Sequence, residues 1–253
     1  IGAIWILFLN SDATVKDDRK ITSQTSAFLA TLDAGDYFGY SVASAGDMDG
    51  DGSEDLLVGA PGDSDGGNWW DAKGAVWILS LTENGLVESY RKISETEGGF
   101  GGELEDENLF GSSITVIGDI DSNGTVDLAV GAEEDNDGGS DEGFGARHGA
   151  VWVLLMDGFT VSEYTKISDL EGGFTGDLDS VDLFGSSVTS PGDLDGDGIE
   201  DLLVGATQDD DADTNAGAVW VLFLNTDGSV ADHAKIDYRS GFDRSIGRTS
   251  LFG

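Results

Sequence analysis

The sequence predicts an all-β fold of repeated four-stranded units, the blades of a β-propeller, and two observations carry that reading. The first is periodicity. Phe-Gly occurs at Phe38, Phe110, Phe184 and Phe252, spaced 72, 74 and 68 residues apart. Gly-Ala-(Ile/Val)-Trp starts at Gly2, Gly74, Gly149 and Gly217, and Lys-Ile at Lys20, Lys92, Lys166 and Lys235, with nearly the same spacings. A shared period in independent markers is the mark of stacked supersecondary units. The second observation is that apolar residues fall into short runs bounded by turn residues, with no sustained helical period.

Four strands are expected in each unit. The first starts at Phe38 and runs to Ser44, and the second spans Asp55 to Ala60. The third, Gly74 to Leu81, is an unbroken apolar run, which suits a strand buried on both faces. A short fourth strand lies near Tyr90–Ile93, and turns such as Glu83-Asn-Gly85 and Thr226-Asp-Gly228 join third to fourth as hairpins. Four short antiparallel strands, repeated, make propeller blades.

The units are therefore placed at 1–37 (third and fourth strands with a loop), 38–109, 110–183, 184–251 and 252–253, about three and a half blades. Joining the two ends would leave a blade lacking its second strand. The expectation is a piece of a longer repeat array, or a chain completed by another. Head-to-tail completion of that kind builds rings or filaments.

Between first and second strands lies an acidic loop, Asp47-Met-Asp-Gly-Asp-Gly-Ser-Glu-Asp55, repeated as Asp119–Asp127 and Asp193–Asp201. Oxygen-bearing side chains stand at positions one, three, five and nine: Asp47, Asp49, Asp51 and Asp55; Asp119, Asp121, Asn123 and Asp127; Asp193, Asp195, Asp197 and Asp201. Glycine holds position six, and position seven (Ser53, Thr125, Ile199) offers a carbonyl. Ca²⁺ takes roughly six to eight oxygens at about 2.3–2.6 Å, and a tight loop of alternating carboxylates supplies them. The loop resembles the first nine positions of an EF-hand loop. Its twelfth position is Val58, however, where that loop needs a bidentate Glu, and an apolar strand follows instead of a helix. The expectation is one Ca²⁺ for each complete repeat, three in all.

Composition narrows the functions. With 12 basic and 50 acidic residues the net charge is −38, which excludes nucleic acid as a partner, since that binding needs clustered Lys and Arg. It speaks equally against anionic membranes, and no membrane-inserting segment is read. Three Ca²⁺ would leave about −32, so salt and divalent cations should stabilise the fold. Halophilic adaptation is a competing source of the acidity. Cysteine is absent, so neither disulfides nor thiol chemistry are available.

Phe-Gly, the acidic loop, Leu56-Leu-Val-Gly-Ala-Pro61 and Gly-Ala-Val-Trp77 together resemble the FG-GAP repeat of integrin α-subunit propellers and of bacterial surface proteins. The resemblance covers nearly the whole chain. It implies calcium loops at the blade edge, an extracellular or cell-surface location, and an adhesive or structural role. The proline of the motif survives only at Pro61, with Glu133 and Thr207 in the other copies, and no inserted metal-dependent adhesion domain is present.

Other features are read more plainly. A second set of acidic loops (Asp63, Asp65; Asp135, Asp137; Asp209, Asp211, Asp213) lacks the position-six glycine and is taken as solvated surface. Phe100 and Phe174, each after Gly-Gly, anchor the long loop to its blade. Trp69-Trp70, in one copy only, suits stacking on a sugar or packing over the loop. The arginines of segment 235–248 suit a basic patch for a neighbour's acidic loop, or a drifted repeat. His148 and His233 fall in no repeated position and have no zinc-like partner spacing. The sequence is thus read as a non-enzymatic, calcium-binding surface repeat protein. Its expected partners are other copies of itself or flanking repeats. The alternatives are a module recognising a glycan or surface protein, and an accessory domain of a secreted hydrolase.

Overall fold

A computed structural model describes residues 1–68, 70–136, 147–211, 215–237 and 239. All regular structure among them is β, in three four-stranded sheets and one hairpin. The hairpin is β1 (Ile4–Leu9) with β2 (Val15–Ile21). The first sheet runs β3 (Val42–Gly46), β4 (Asp55–Ala60), β5 (Ala75–Leu81), β6 (Val87–Ile93), paired in that order. The second is β7 (Phe110–Val116), β8 (Leu128–Ala132), β9 (Ala150–Asp157), β10 (Thr160–Ile167). The third is β11 (Phe184–Gly192), β12 (Asp201–Ala206), β13 (Ala218–Leu224), β14 (Val230–Ile236). Every pairing within these sheets is antiparallel, as propeller blades require.

Two of the sequence markers turn out to be one structural unit. The Trp of each third strand is the cross-strand partner of the Lys of each fourth: Trp5 with Lys20, Trp77 with Lys92, Trp152 with Lys166, Trp220 with Lys235. Each lysine Nζ also lies 4.9–5.7 Å from the centroid of that indole.

The third strands are apolar throughout because alternate residues serve different blade interfaces. On β5, Trp77, Leu79 and Leu81 pack with Ile4, Ile21, Phe28 and Phe38 of the preceding unit and loop. Val76 and Ile78 face the next blade, among Phe110, Ile114, Trp152 and Leu154. A third core joins Val151 and Val153 to Phe184, Trp220 and Leu222. Each buried side chain of this size is worth about 1.5–3 kcal/mol, so the interfaces hold the stack together.

The glycines of the markers sit where backbones touch. A Cβ on Gly59 would stand 2.0 Å from the Gly111 carbonyl oxygen, and one on Gly131 would stand 2.1 Å from that of Gly185. Phe-Gly of one blade thus closes on Val-Gly-Ala of the blade before it. The hydroxyl of Ser41 donates to the Gly111 carbonyl, and that of Ser113 to Gly185, each at 2.7 Å.

Two strands differ from their expected bounds. β3 starts at Val42 rather than Phe38, because Tyr37–Tyr40 is held in a turn, Tyr40 N–H donating to Tyr37 O at 2.9 Å. β7 and β11 do start at the phenylalanine, where a parallel bridge from Gly74 or Gly149 pins it. β6 starts at Val87, longer than expected, since alternate residues that read as polar pair along its exposed edge.

Candidate metal centres

The three acidic loops adopt one geometry, and their own backbone sets it. The position-six glycines have φ of +90° (Gly52), +97° (Gly124) and +94° (Gly198), a left-handed turn that favours glycine. A Cβ there would meet nothing within 4 Å, so backbone conformation and not crowding selects the residue. Each turned glycine donates its N–H to the first Asp of its loop (Asp47, Asp119, Asp193) at 2.8–2.9 Å. The third residue (Asp49, Asp121, Asp195) accepts the N–H of the fifth at 3.0–3.1 Å. The fifth (Asp51, Asn123, Asp197) accepts that of the seventh, Ser53, Thr125 or Ile199, at 2.6–2.8 Å. Local bonds of this kind favour loop over sheet and orient the side chains.

The ninth residue ties loop to sheet. Asp55, Asp127 and Asp201 are at most 1% exposed. Each accepts the N–H of the second loop residue (Met48, Ile120, Leu194) at 2.7–3.0 Å, and one from the third strand (Leu81, Met156, Leu224) at 2.8–3.3 Å. Burial raises all three carboxyls above the ordinary range, Asp127 to about 6. The two N–H bonds pull the other way, and the neighbouring loop carboxylates push further up.

Carboxylate oxygens converge in every loop. Those of Asp47, Asp49 and Asp55 lie within 4.8 Å of one another, as do those of Asp119, Asp121 and Asp127. In the third loop the set is Asp193, Asp195 and Asp197, so Asp201 stands outside it, as Asp51 does in the first. Among the described residues no lysine or arginine pairs with any of them. Hard oxygen donors without a cation of their own suit a divalent metal.

Sequence reasoning missed one contributor. Ser80, 1% exposed, donates its hydroxyl to Asp49 at 2.7 Å; it is the one polar residue in the run Ala75–Leu81. The Asn123 amide bonds both Asp121 and the Met156 carbonyl, fixing the loop where a carboxylate is missing.

The second acidic loops are not solvated throughout: Asp211 is exposed as expected, but the first aspartate of each loop is buried. Asp63, Asp135 and Asp209 are at most 5% exposed, and each pairs with a lysine of the Trp–Lys couple. Lys92 Nζ is 2.7 Å from Asp63 and 2.5 Å from Asp65; Lys166 is 2.7 Å from Asp135; Lys235 pairs with Asp209 and Asp211. The spacing of these acids, 72 and 74, matches that of Phe38, Phe110 and Phe184, and was the available signal. Asp137 and Asp213 lie outside the described residues.

Phe100 and Phe174 do anchor their loops, stacking on Phe110 and Phe184 and meeting Trp152 and Trp220 edge-on. Phe28 takes the same place against Trp77 without a preceding Gly-Gly. His233 does occupy a repeated position: it pairs across from Leu222 as Tyr90 does from Leu79 and Tyr164 from Leu154, and it packs on Trp220. His148 Nδ1 is 3.6 Å from Asp169. Trp70 is 55% exposed; Trp69, Phe252, unit 252–253 and the arginines of 240–248 lie outside the described residues.

A family model described as the FG-GAP repeat matches residues 38–79 and 184–222. The chain is 35% identical to integrin alpha-5 of Xenopus laevis over 170 residues, 67% of this chain and 15% of that protein. It is 34% identical to integrin alpha-PS5 of Drosophila melanogaster over 172 residues (68% and 15%), and 33% identical to human integrin alpha-11 over 200 (76% and 14%). The chain spans about 15% of the length of these relatives. Period, strand order and sequence likeness agree: the repeats of this chain are FG-GAP repeats, folded as integrin-α-like β-propeller blades.

Proposed function

We propose that the chain is a non-enzymatic, calcium-stabilised propeller segment of an extracellular or cell-surface protein, serving adhesion or a surface assembly. Its repeats are taken as 38–109, 110–183 and 184–251, each holding one Ca²⁺. The ligands assigned are Asp47, Asp49, Asp51, the Ser53 carbonyl and Asp55; Asp119, Asp121, Asn123, the Thr125 carbonyl and Asp127; Asp193, Asp195, Asp197, the Ile199 carbonyl and Asp201.

One observation carries the reading: three loops repeat the same N–H pattern around converging carboxylates that no lysine or arginine among the described residues neutralises. Bound metal supplies charge compensation there, and the residues of the chain hold and orient it. Metal that binds only the folded state stabilises by about 2.7 kcal/mol per site at one hundred times its Kd. The melting temperature should therefore fall on adding EGTA and return with excess Ca²⁺. A melting curve indifferent to both removes the metal from the proposal.

The face of β1 supports a partner of the same kind. Trp5, Leu7 and Leu9 are 52–57% exposed, whereas Trp77, Leu79 and Leu81 in the same register are at most 5% exposed against the preceding unit. A further repeat, or another copy of the chain, fits that face. Sedimentation at rising concentration tests the second, and a Trp5→Glu variant should abolish any association seen.

A further inference from the structure

Two residues before Phe38, Phe110 and Phe184 stands a buried side chain that closes the same turn: Asp36, Asn108 and Asp182, 2–5% exposed. Asp36 accepts the N–H of Asp33 at 2.6 Å, Asn108 that of Glu105 at 2.7 Å, and Asp182 that of Asp179 at 2.9 Å. All three sit at joints between blades. The Asp36 carbonyl accepts the N–H of Gly62, and the Asp182 carbonyl that of Gln208, from the loops that carry Asp63 and Asp209. Asn108 lines a cavity of about 610 Å³ with Asp135, Trp152 and Lys166; Asp36 lines one of about 490 Å³ with Asp63, Trp77 and Lys92.

The joints differ in charge. In the middle joint an amide stands beside the Lys166–Asp135 pair. In the first, a carboxyl stands where the amide would, although Lys92 already serves Asp63 and Asp65. In the third, Asp182 stands beside Asp209, and Lys235 already serves Asp209 and Asp211. A protonated carboxyl has the shape of the amide and offers one donor with acceptor capacity, so it alone reproduces the neutral joint.

We propose that the first and third blade joints are proton-responsive: protonated Asp36 and Asp182 stand in for Asn108, and their ionisation beside Asp63 and Asp209 loosens the blade contact. The groups facing Asp36 are Asp33, Asp63 and the Ile1 amine, with Asp65, Arg91, Lys92 and Glu97 on the same cavity wall. Those facing Asp182 are Asp179, Asp209 and Lys235. Burial is the leading cause that raises Asp36 to about 6 and Asp182 to about 7, with the acids adding to it; the N–H bonds, the amine and Lys235 oppose it. Since both exceed the ordinary 3.8, their stabilising contribution is complete below about pH 4 and is lost as pH rises to about 6 and 7 respectively.

The test compares melting of the full chain from pH 4 to 8, in saturating Ca²⁺ and in EGTA, for the wild type, Asp36→Asn/Asp182→Asn and Asn108→Asp. The double variant should gain on the wild type as pH rises, by about 4–8 °C at the plateau above pH 7, and Asn108→Asp should lose ground over a similar range. Differences that stay flat with pH overturn the proposal. Carboxyl-carbon NMR of the wild type decides independently of the variants. Midpoints near 6 for Asp36 and 7 for Asp182 support the proposal, and ordinary midpoints near 4 for both refute it.

Discussion

The two ends of the inner strands carry loops of similar composition and opposite electrostatic design. At the start of β4, β8 and β12 the aspartates meet, among the described residues, only backbone N–H groups, a hydroxyl, an amide and one another. At the far end of the same strands, Asp63, Asp135 and Asp209 meet a lysine delivered by the fourth strand. Acidity alone therefore says little about metal; the source of the counter-charge decides. Where a Trp–Lys couple provides it, the loop is complete by itself. Where none of the described residues provides it, the converging carboxylates are left without a lysine or arginine of their own.

The sharpest way to break that contrast is to remove the internal cation. Lys92→Met leaves Asp63, 5% exposed, and its neighbour Asp65 without their cation, Asp65 keeping only its bonds from Ser94 and Thr96. Loss of one member of a buried pair costs about 3–5 kcal/mol. Chemical denaturation should show a loss of that size, and added Ca²⁺ should not recover it. Recovery by Ca²⁺ would mean the two kinds of loop are interchangeable.

The next effect is on pH. Asp127, raised to about 6 with burial as the leading cause, favours the metal-free fold below about pH 4, and that contribution is lost as pH rises to about 6. Two pK units correspond to about 2–3 kcal/mol. In EGTA, neutralising Asp127 by Asp127→Leu should therefore remove a pH-dependent penalty, which is read by comparing its melting with wild type at pH 4 and pH 7. In Ca²⁺ the trend reverses, since metal must displace protons from the carboxylates.

Much of this was legible beforehand. Period, strand order and the repeated acidic loop stand in the sequence because they rest on local rules: turn glycines, alternating acids, unbroken apolar runs. The role of Lys92, Lys166 and Lys235 was not, because it joins residues about thirty positions apart through strand pairing. The Asp63 loops look solvated as text, since burial by a neighbouring strand leaves no local trace. Likewise His233 reads as a stray until β14 places it opposite Leu222, in the aromatic position of Tyr90 and Tyr164.

A smaller effect separates the three candidate metal loops among themselves. The second loop has Asn123 where the others have Asp51 and Asp197. Asp197→Asn keeps an acceptor for the Ile199 N–H, which Asp197 Oδ1 takes at 2.8 Å, and removes one charge. Ligand charge tunes calcium affinity, and a tenfold weakening, about 1.4 kcal/mol, is expected by calorimetry for that site alone. Asn123→Asp should strengthen the second site by a similar factor.

The smallest expected effect tests the blade contact apart from either acidic end. Ser113 donates its hydroxyl to the Gly185 carbonyl at 2.7 Å, across a close backbone approach between two blades. Its residue is 9% exposed, so water does not readily replace the bond. Ser113→Ala should cost about 0.5–1.5 kcal/mol, and the cost should be the same with Ca²⁺ or EGTA and at pH 5 or 7. A cost that vanished in EGTA would place the acidic loops and the interblade seam in one cooperative unit, because β7 carries Ser113 and leads directly into the Asp119 loop.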